Sequence, residues 1–182
     1  MTSLSAQDNP LPLREIPPAP ETYSSGSVLA RMIEGLGFRY YWATEGLRAE
    51  DLTYKPSDDA RSTDETLDHI LGLSFAVYCS AKSIPRESKD LGELSFEEKR
   101  RMTLENLAQA AEMLRGKSEE EVAELSIIFK RGENESEFPY WNMINGPIAD
   151  AIYHTGQIVS FRRASGNPTP SGVNVFMGTV RE

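Results

Sequence analysis

Residues 149–161 read ADAIYHTGQIVSF and hold one of the two histidines in this 182-residue chain. Asp150 lies four residues before His154, and Gln157 three after it. On a helix this spacing brings the three side chains to one face, about one turn apart. A carboxylate and an imidazole so placed can ligate one divalent ion, since both are ordinary donors for zinc, nickel, manganese or iron. The same spacing describes a plain exposed polar stripe, and on spacing alone that reading is the commoner one. Phe161 continues the stripe. At ~100° per residue, Ile148, Ile152 and Val159 point nearly opposite.

The other histidine is His69, within STDETLDHILGLSFAVY. Glu65, Thr66, Gly72, Leu73 and Ala76 flank it on a helix, and the small residues among them leave room for a ligand. The competing reading is an imidazole satisfied by a neighbouring carboxylate or backbone group. Glu65 and Gln157 lie about one turn from His69 and His154, as candidate orienters of the two rings or as solvent-facing side chains. The lone cysteine, Cys79, excludes a disulfide within the chain and a cysteine-rich zinc site, and reads as a small buried hydrophobe.

Four long amphipathic segments must position these groups. The first helix is expected over about Ser24–Leu47, with Val28, Met32, Leu36, Tyr40 and Ala43 at helical spacing and Leu29 and Ile33 beside them. Gly35 and Gly37 weaken its local propensity and mark close packing. Ser62 and Glu65 have the spacing of a capping box. They open a second helix over about Thr63–Ser83, with Leu67, Ile70, Leu71, Ser74, Val77 and Tyr78 inward. Ser95 and Glu98 repeat that spacing for a third helix, whose Thr103, Leu107, Ala110, Ala111 and Leu114 face inward and which ends at Gly116. The fourth spans about Trp141–Ala164, kinked at Asn145-Gly146-Pro147, with Asn145 a candidate cap for its restart. Between the third and fourth lie a short helical turn in SEEEVAEL and a candidate hairpin, SIIFK and SEFPY, whose second strand is confined to an edge by Pro139. An all-α four-helix bundle is the expected fold. A Pro-rich extended arm (1–22) precedes it, laid against the domain or a partner, and a tail (167–182) follows the bundle domain (23–166).

Other residues have two readings. Tyr40, Tyr41 and Trp42 resemble a binding platform, but at helical spacing they read as core or dimer contacts. Arg162 and Arg163 either grip an anion or complement a helix dipole. Arg100–Met102 reads as a solvated helix start, and Trp141 as a wall of the pocket or, in preference, as core.

Net charge is −9, and the basic residues are scattered. Phosphate neutralisation needs clustered Lys and Arg, so nucleic acid and anionic membrane surfaces are disfavoured partners. No stretch approaches the roughly 20 apolar residues of a membrane span. The first twenty residues have neither a basic nor an apolar leader region, although Leu4–Gln7 has the small residues of a cleavage scar. A cytoplasmic location is expected.

Three pieces together resemble the DinB/YfiT-like family of bacterial bundle proteins: LTYKPSDDARSTDETLDHILGLS, NGPIADAIYHTGQIVSFRRASGNP, and the long helix before the first piece. Leu52, Tyr54 and Pro56 lead to His69 as that family's hydrophobic-x-aromatic-x-Pro connection leads to its helix-two histidine. His154, Gly156 and Gln157 match the second half of H-x-x-x-H-x-G-Q, and Asp150 stands where its first histidine would be. The resemblance spans roughly residues 24–165. It implies an up-down-down-up bundle holding a divalent metal, zinc or nickel first and manganese or iron next, on His69, Asp150 and His154. It also implies an enzyme that activates a low-molecular-weight thiol or water against a small electrophile, and a homodimer. A non-catalytic small-molecule-binding or dimerisation bundle with a degenerate metal site is the alternative.

Overall fold

The computed structural model describes residues 10–87 and 93–181. The first nine residues of the arm, including Leu4–Gln7, lie outside the described residues. The chain is mainly helical: α1 (Ser25–Thr44), α2 (Ala49–Thr53), α3 (Thr63–Ala81), α4 (Phe96–Leu114), α5 (Glu119–Ala123), α6 (Trp141–Met143) and α7 (Ala149–Ala164), with a kinked turn, Ile144–Ile148, joining the last two. The expected hairpin is present as β2 (Ser126–Arg131) and β3 (Asn134–Pro139), with Pro139 ending the edge strand. Three short strands, like the short helix α2, were not expected. A two-residue strand β1 (Arg86–Glu87) pairs parallel to β2, and β4 (Val173–Asn174) pairs with β5 (Thr179–Val180), so the tail is ordered as a small hairpin and the fold is not purely α.

The capping boxes form as the spacing predicts. Ser62 Oγ accepts from Glu65 N and Glu65 Oε2 from Ser62 N, and Ser95 and Glu98 repeat the exchange. A helix start needs these partners because its first amides have none of their own. Two helices end a few residues early, α1 at Thr44 rather than Leu47 and α3 at Ala81 rather than Ser83, while α7 ends at Ala164 as expected. The connection after α1 contains α2. Gly116, with φ +82°, takes the left-handed stop after α4.

The long helices pack in a cycle, α1 against α4, α4 against α3, α3 against α7 and α7 against α1. The inward residues expected of α4 are all buried, as are Leu67, Ile70, Leu71, Ser74 and Val77 of α3. Lys99 on α4 is buried, and its Nζ lies 2.9 Å from carboxylate oxygens of both Asp64 and Asp68 on α3. Helix α1 is buried almost all round, because the arm covers its remaining face. A Cβ on Gly37 would sit 2.2 Å from Leu13 Cδ1, Trp42 Nε1 donates to Arg14 O at 3.0 Å, and Ile16 N bonds Gly178 O of the tail hairpin at 2.9 Å.

At the other end of α1, Gly26 N bonds Lys117 O at 3.1 Å, and a Cβ on Gly26 would meet Leu114 O at 2.2 Å. Backbone cannot yield there as a side chain can. Gly26→Ala is therefore expected to cost about 1–3 kcal/mol in urea unfolding. Gly156→Ala, on the open face of α7 with nothing within 4 Å, should instead gain about 0.5–1 kcal/mol. Equal effects at the two glycines would contradict this packing.

Several side chains depart from their sequence readings. Trp141 is 78% exposed, while Tyr140 takes the core position beside it. Asn145 caps nothing. The expected kink is present: Gly146 leaves helical dihedrals (φ −94°, ψ −108°) just before Pro147, whose missing N–H cannot continue an α ladder, and α7 begins with no side-chain cap. Arg162 is not a surface complement to the α7 dipole but is buried, its Nη1 donating to the carbonyls of Trp42, Ala43 and Glu45 at 3.0–3.1 Å. It thus caps the C-terminus of α1 from a second helix. Arg100 is not a solvated start: its guanidinium lies 4.7 Å over Tyr41 and bonds Thr44 Oγ1 and Glu45. Tyr40 and Trp42 are buried, which favours core over a binding platform.

Candidate metal centre

Helix α3 supplies His69, and α7 supplies Asp150 and His154. The core stripe of α7 is Ile148, Ala151, Thr155, Ile158 and Arg162. That stripe lies roughly 100° around the helix from Asp150. The polar stripe is thus neither the wet face nor the core but the flank turned toward α3. Ile152, at the position opposite Asp150, is 38% exposed.

On this flank the three predicted groups meet. His69 Nε2 lies 3.0 Å from Asp150 Oδ2, and His154 Nε2 3.3 Å from Asp150 Oδ1. The two imidazoles stand edge to face with centroids 4.6 Å apart. One donor atom from each residue falls within 4.8 Å of the others. His154 is the most enclosed, its side chain 12% exposed, against 32% for His69 and 42% for Asp150. The cluster is walled by protein on one side and open to solvent on the other.

Gln157 acts on the nearer ring. Its Oε1 accepts from His154 Nδ1 at 2.7 Å. A neutral imidazole that donates through Nδ1 presents a lone pair at Nε2. That lone pair faces a carboxylate oxygen 3.3 Å away, a pair of donors that a single cation could share. The donor set, two imidazole nitrogens and a carboxylate with an outer partner fixing one tautomer, fits a divalent transition ion. Gln157→Leu is expected to weaken metal binding about 10–100-fold by competition titration, leaving the unfolding transition of the metal-free protein in place. Unchanged affinity would remove Gln157 from this role.

The second candidate orienter is elsewhere. Glu65 spends its carboxylate on the Ser62 amide at 2.7 Å and on Lys55 Nζ at 3.1 Å. The Ser62 amide first, then Lys55, holds it below the usual carboxylate range. It caps α3 and does not touch His69.

Two neighbours of the centre were not singled out in the sequence. Tyr153, 65% exposed, sets its ring 5.3 Å from His154. Arg86 of β1 reaches Gly72, one turn along α3 from His69: Nη2 lies 3.5 Å from where a Cβ would sit, and the buried Nε has no hydrogen-bond partner among the described residues. Gly72 was the expected open space beside His69, and a guanidinium partly fills it. Only the pairing of β1 with β2 brings Arg86 there, and a two-residue strand carries no periodicity to read.

Comparison with family models, curated proteins and solved structures gives no match. The support for a metal centre is therefore the convergence of the three side chains. Among the described residues no helix is long and apolar enough to cross a membrane.

Proposed function

We propose that the protein is a divalent-metal-dependent enzyme of the DinB-like kind, acting on a small electrophile with a low-molecular-weight thiol or water as nucleophile. The observation that carries this reading is the meeting of His69, Asp150 and His154 from two helices at one solvent-open point. We read the helix cycle as an up-down-down-up bundle. Its support is register: Gly26 opposite Lys117 and Tyr41 opposite Arg100 run α1 against α4, Asp64 opposite Lys99 and Ser74 opposite Asn106 run α3 along α4, and Trp42 opposite Arg162 sets α7 on α1.

The three ligands would hold zinc or nickel, or else manganese or iron, since nitrogen and carboxylate donors suit each of them. A divalent cation held there supplies Lewis acidity, favouring the deprotonated form of a thiol or water beside it. The chain's own groups do the rest. Gln157 fixes the His154 ring. Asp150 brings negative charge that a third imidazole would not, offsetting the cation. Tyr153 offers an aromatic wall, and Arg86 a positive charge suited to an anionic group on the substrate.

The test is a screen of metal-loaded protein with several small thiols against monobromobimane and epoxides, following conjugate formation. Conjugation that depends on metal and is lost in His154→Ala supports the proposal. Stoichiometric metal with no conjugation or hydrolysis favours a non-catalytic binding bundle.

A further inference from the structure

At the N-terminal end of α1, the start of that helix, helix α5 and the turn into α6 line a cavity of about 580 Å³. It shares no residue with the metal centre. Val28, Leu29, Met32, Val122 and Ile144 make its walls apolar. Tyr140 and Trp141 add aromatic surface, and Trp141 and Val28 are 78% and 46% exposed. Large apolar side chains left this open around a concavity mark a binding surface.

Charge narrows the occupant. Glu119 is the one charged residue among those lining the cavity. Its neighbours in the first turn of α5 are engaged locally: Ser118 Oγ donates to Glu120 at 2.7 Å, and Glu121 accepts from Ser118 N at 2.8 Å and lies 3.9 Å from Lys117. The Glu119 carboxylate has no hydrogen bond or ion pair among the described residues. Glu133, Glu135 and Glu137 stand exposed on the hairpin that leads to Pro139 in the cavity wall. A fatty acid or other apolar anion would find no cation on the lining and one carboxylate of like charge.

We infer that this cavity binds a hydrophobic cation. The apolar body packs against the α1 and α5 walls, and the positive charge is met by Glu119 and by the aromatic faces nearby.

Tetraphenylphosphonium and tetraphenylborate test this directly, being nearly the same size and shape with opposite charge. Binding to the full chain is followed by calorimetry and by the emission of Trp141 in a Trp42→Phe background. The phosphonium should bind roughly tenfold or more tightly than the borate, a preference of the size that ion–aromatic and ion-pair contacts give. Glu119→Gln should narrow the preference to a few-fold. Ala123→Trp, which fills the cavity from an exposed position, should abolish binding, and His69→Ala should leave it unchanged. Equal or tighter borate binding overturns the inference, as does binding that survives Ala123→Trp or the absence of binding by either ion. Self-association that Trp141→Glu abolishes and the phosphonium does not compete with would instead assign the face to a second copy of the chain.

Discussion

His69→Ala, Asp150→Ala and His154→Ala are each expected to lower affinity for zinc or nickel by more than the roughly 10–100-fold that outer-shell changes cost. Each removes one of three protein donors, and no described His, Cys, Asp or Glu outside this cluster is placed to replace it. The effect should also appear in stability. A cation at about a hundred times its dissociation constant stabilises a folded site by about 2.7 kcal/mol, about 5–10 °C in a chain of this length. Wild type should show that shift on adding metal, and the three variants should not. Because the site is partly open, the metal-free variants should melt near metal-free wild type. A shift that persists in all three would mean that any bound ion sits elsewhere.

The second large effect is expected at Asp51, far from any chemistry. Its side chain is 0% exposed. It accepts from Arg48 N, Nε and Nη2 at 2.8–3.0 Å, from Ser165 Oγ at 2.5 Å and from Asn167 Nδ2 at 2.7 Å. These bonds tie the start of α2 to the chain leaving α7, beside the Arg162 cap on α1. They fix where α7 lies, and so where Asp150 and His154 meet α3. Asp51→Ala removes all five of these bonds to a buried carboxylate at once, while Arg48 keeps Glu50 and Ser165 O, Ser165 keeps Arg162 O and Asn167 keeps Gly46 O, and it should cost about 1.5–3 kcal/mol in chemical denaturation. Arg48 first, with Ser165 and Asn167 adding to it against the cost of burial, holds the Asp51 carboxyl far below the usual carboxylate range. Its folded pKa is thus depressed. The stability it contributes is complete above the unfolded value of about 4 and is lost as pH falls below that toward the folded value. Asp51→Asn should therefore flatten the acid side of the stability profile between about pH 4 and 2. A profile identical to wild type would mean that this carboxylate is not paired in solution.

Much of the scaffold was legible because its signals are local. Ser62 with Glu65 and Ser95 with Glu98 mark helix starts through bonds that span three residues, and Gly116 marks a stop through one dihedral angle. The ligand set was legible only in part. Spacing put Asp150, His154 and Gln157 on one face, but which way that face turned depended on the phase of α7, which is set by the kink at Gly146. Periodicity taken from Asp150 alone favours a wet stripe over a metal flank. His69 joined the cluster through the resemblance, since nothing within its own helix points to a partner 81 residues away.

What was misread depended on tertiary partners. Arg162 has a sufficient local explanation at a helix C-terminus, so its burial against three α1 carbonyls was invisible. Glu65 has two uses at the same spacing, and the cap took the side chain. Tyr140 and Trp141 are adjacent and both aromatic, so only the packed structure decides which one enters the core.

The central claim is that one cation is gripped by side chains from two helices. The most direct test is anomalous diffraction at the zinc edge from zinc-soaked crystals of tag-free protein. One peak within bonding distance of His69 Nε2, His154 Nε2 and an Asp150 carboxylate oxygen is the predicted result. A map with no peak there, the imidazoles remaining hydrogen-bonded to Asp150 at saturating zinc, would contradict it.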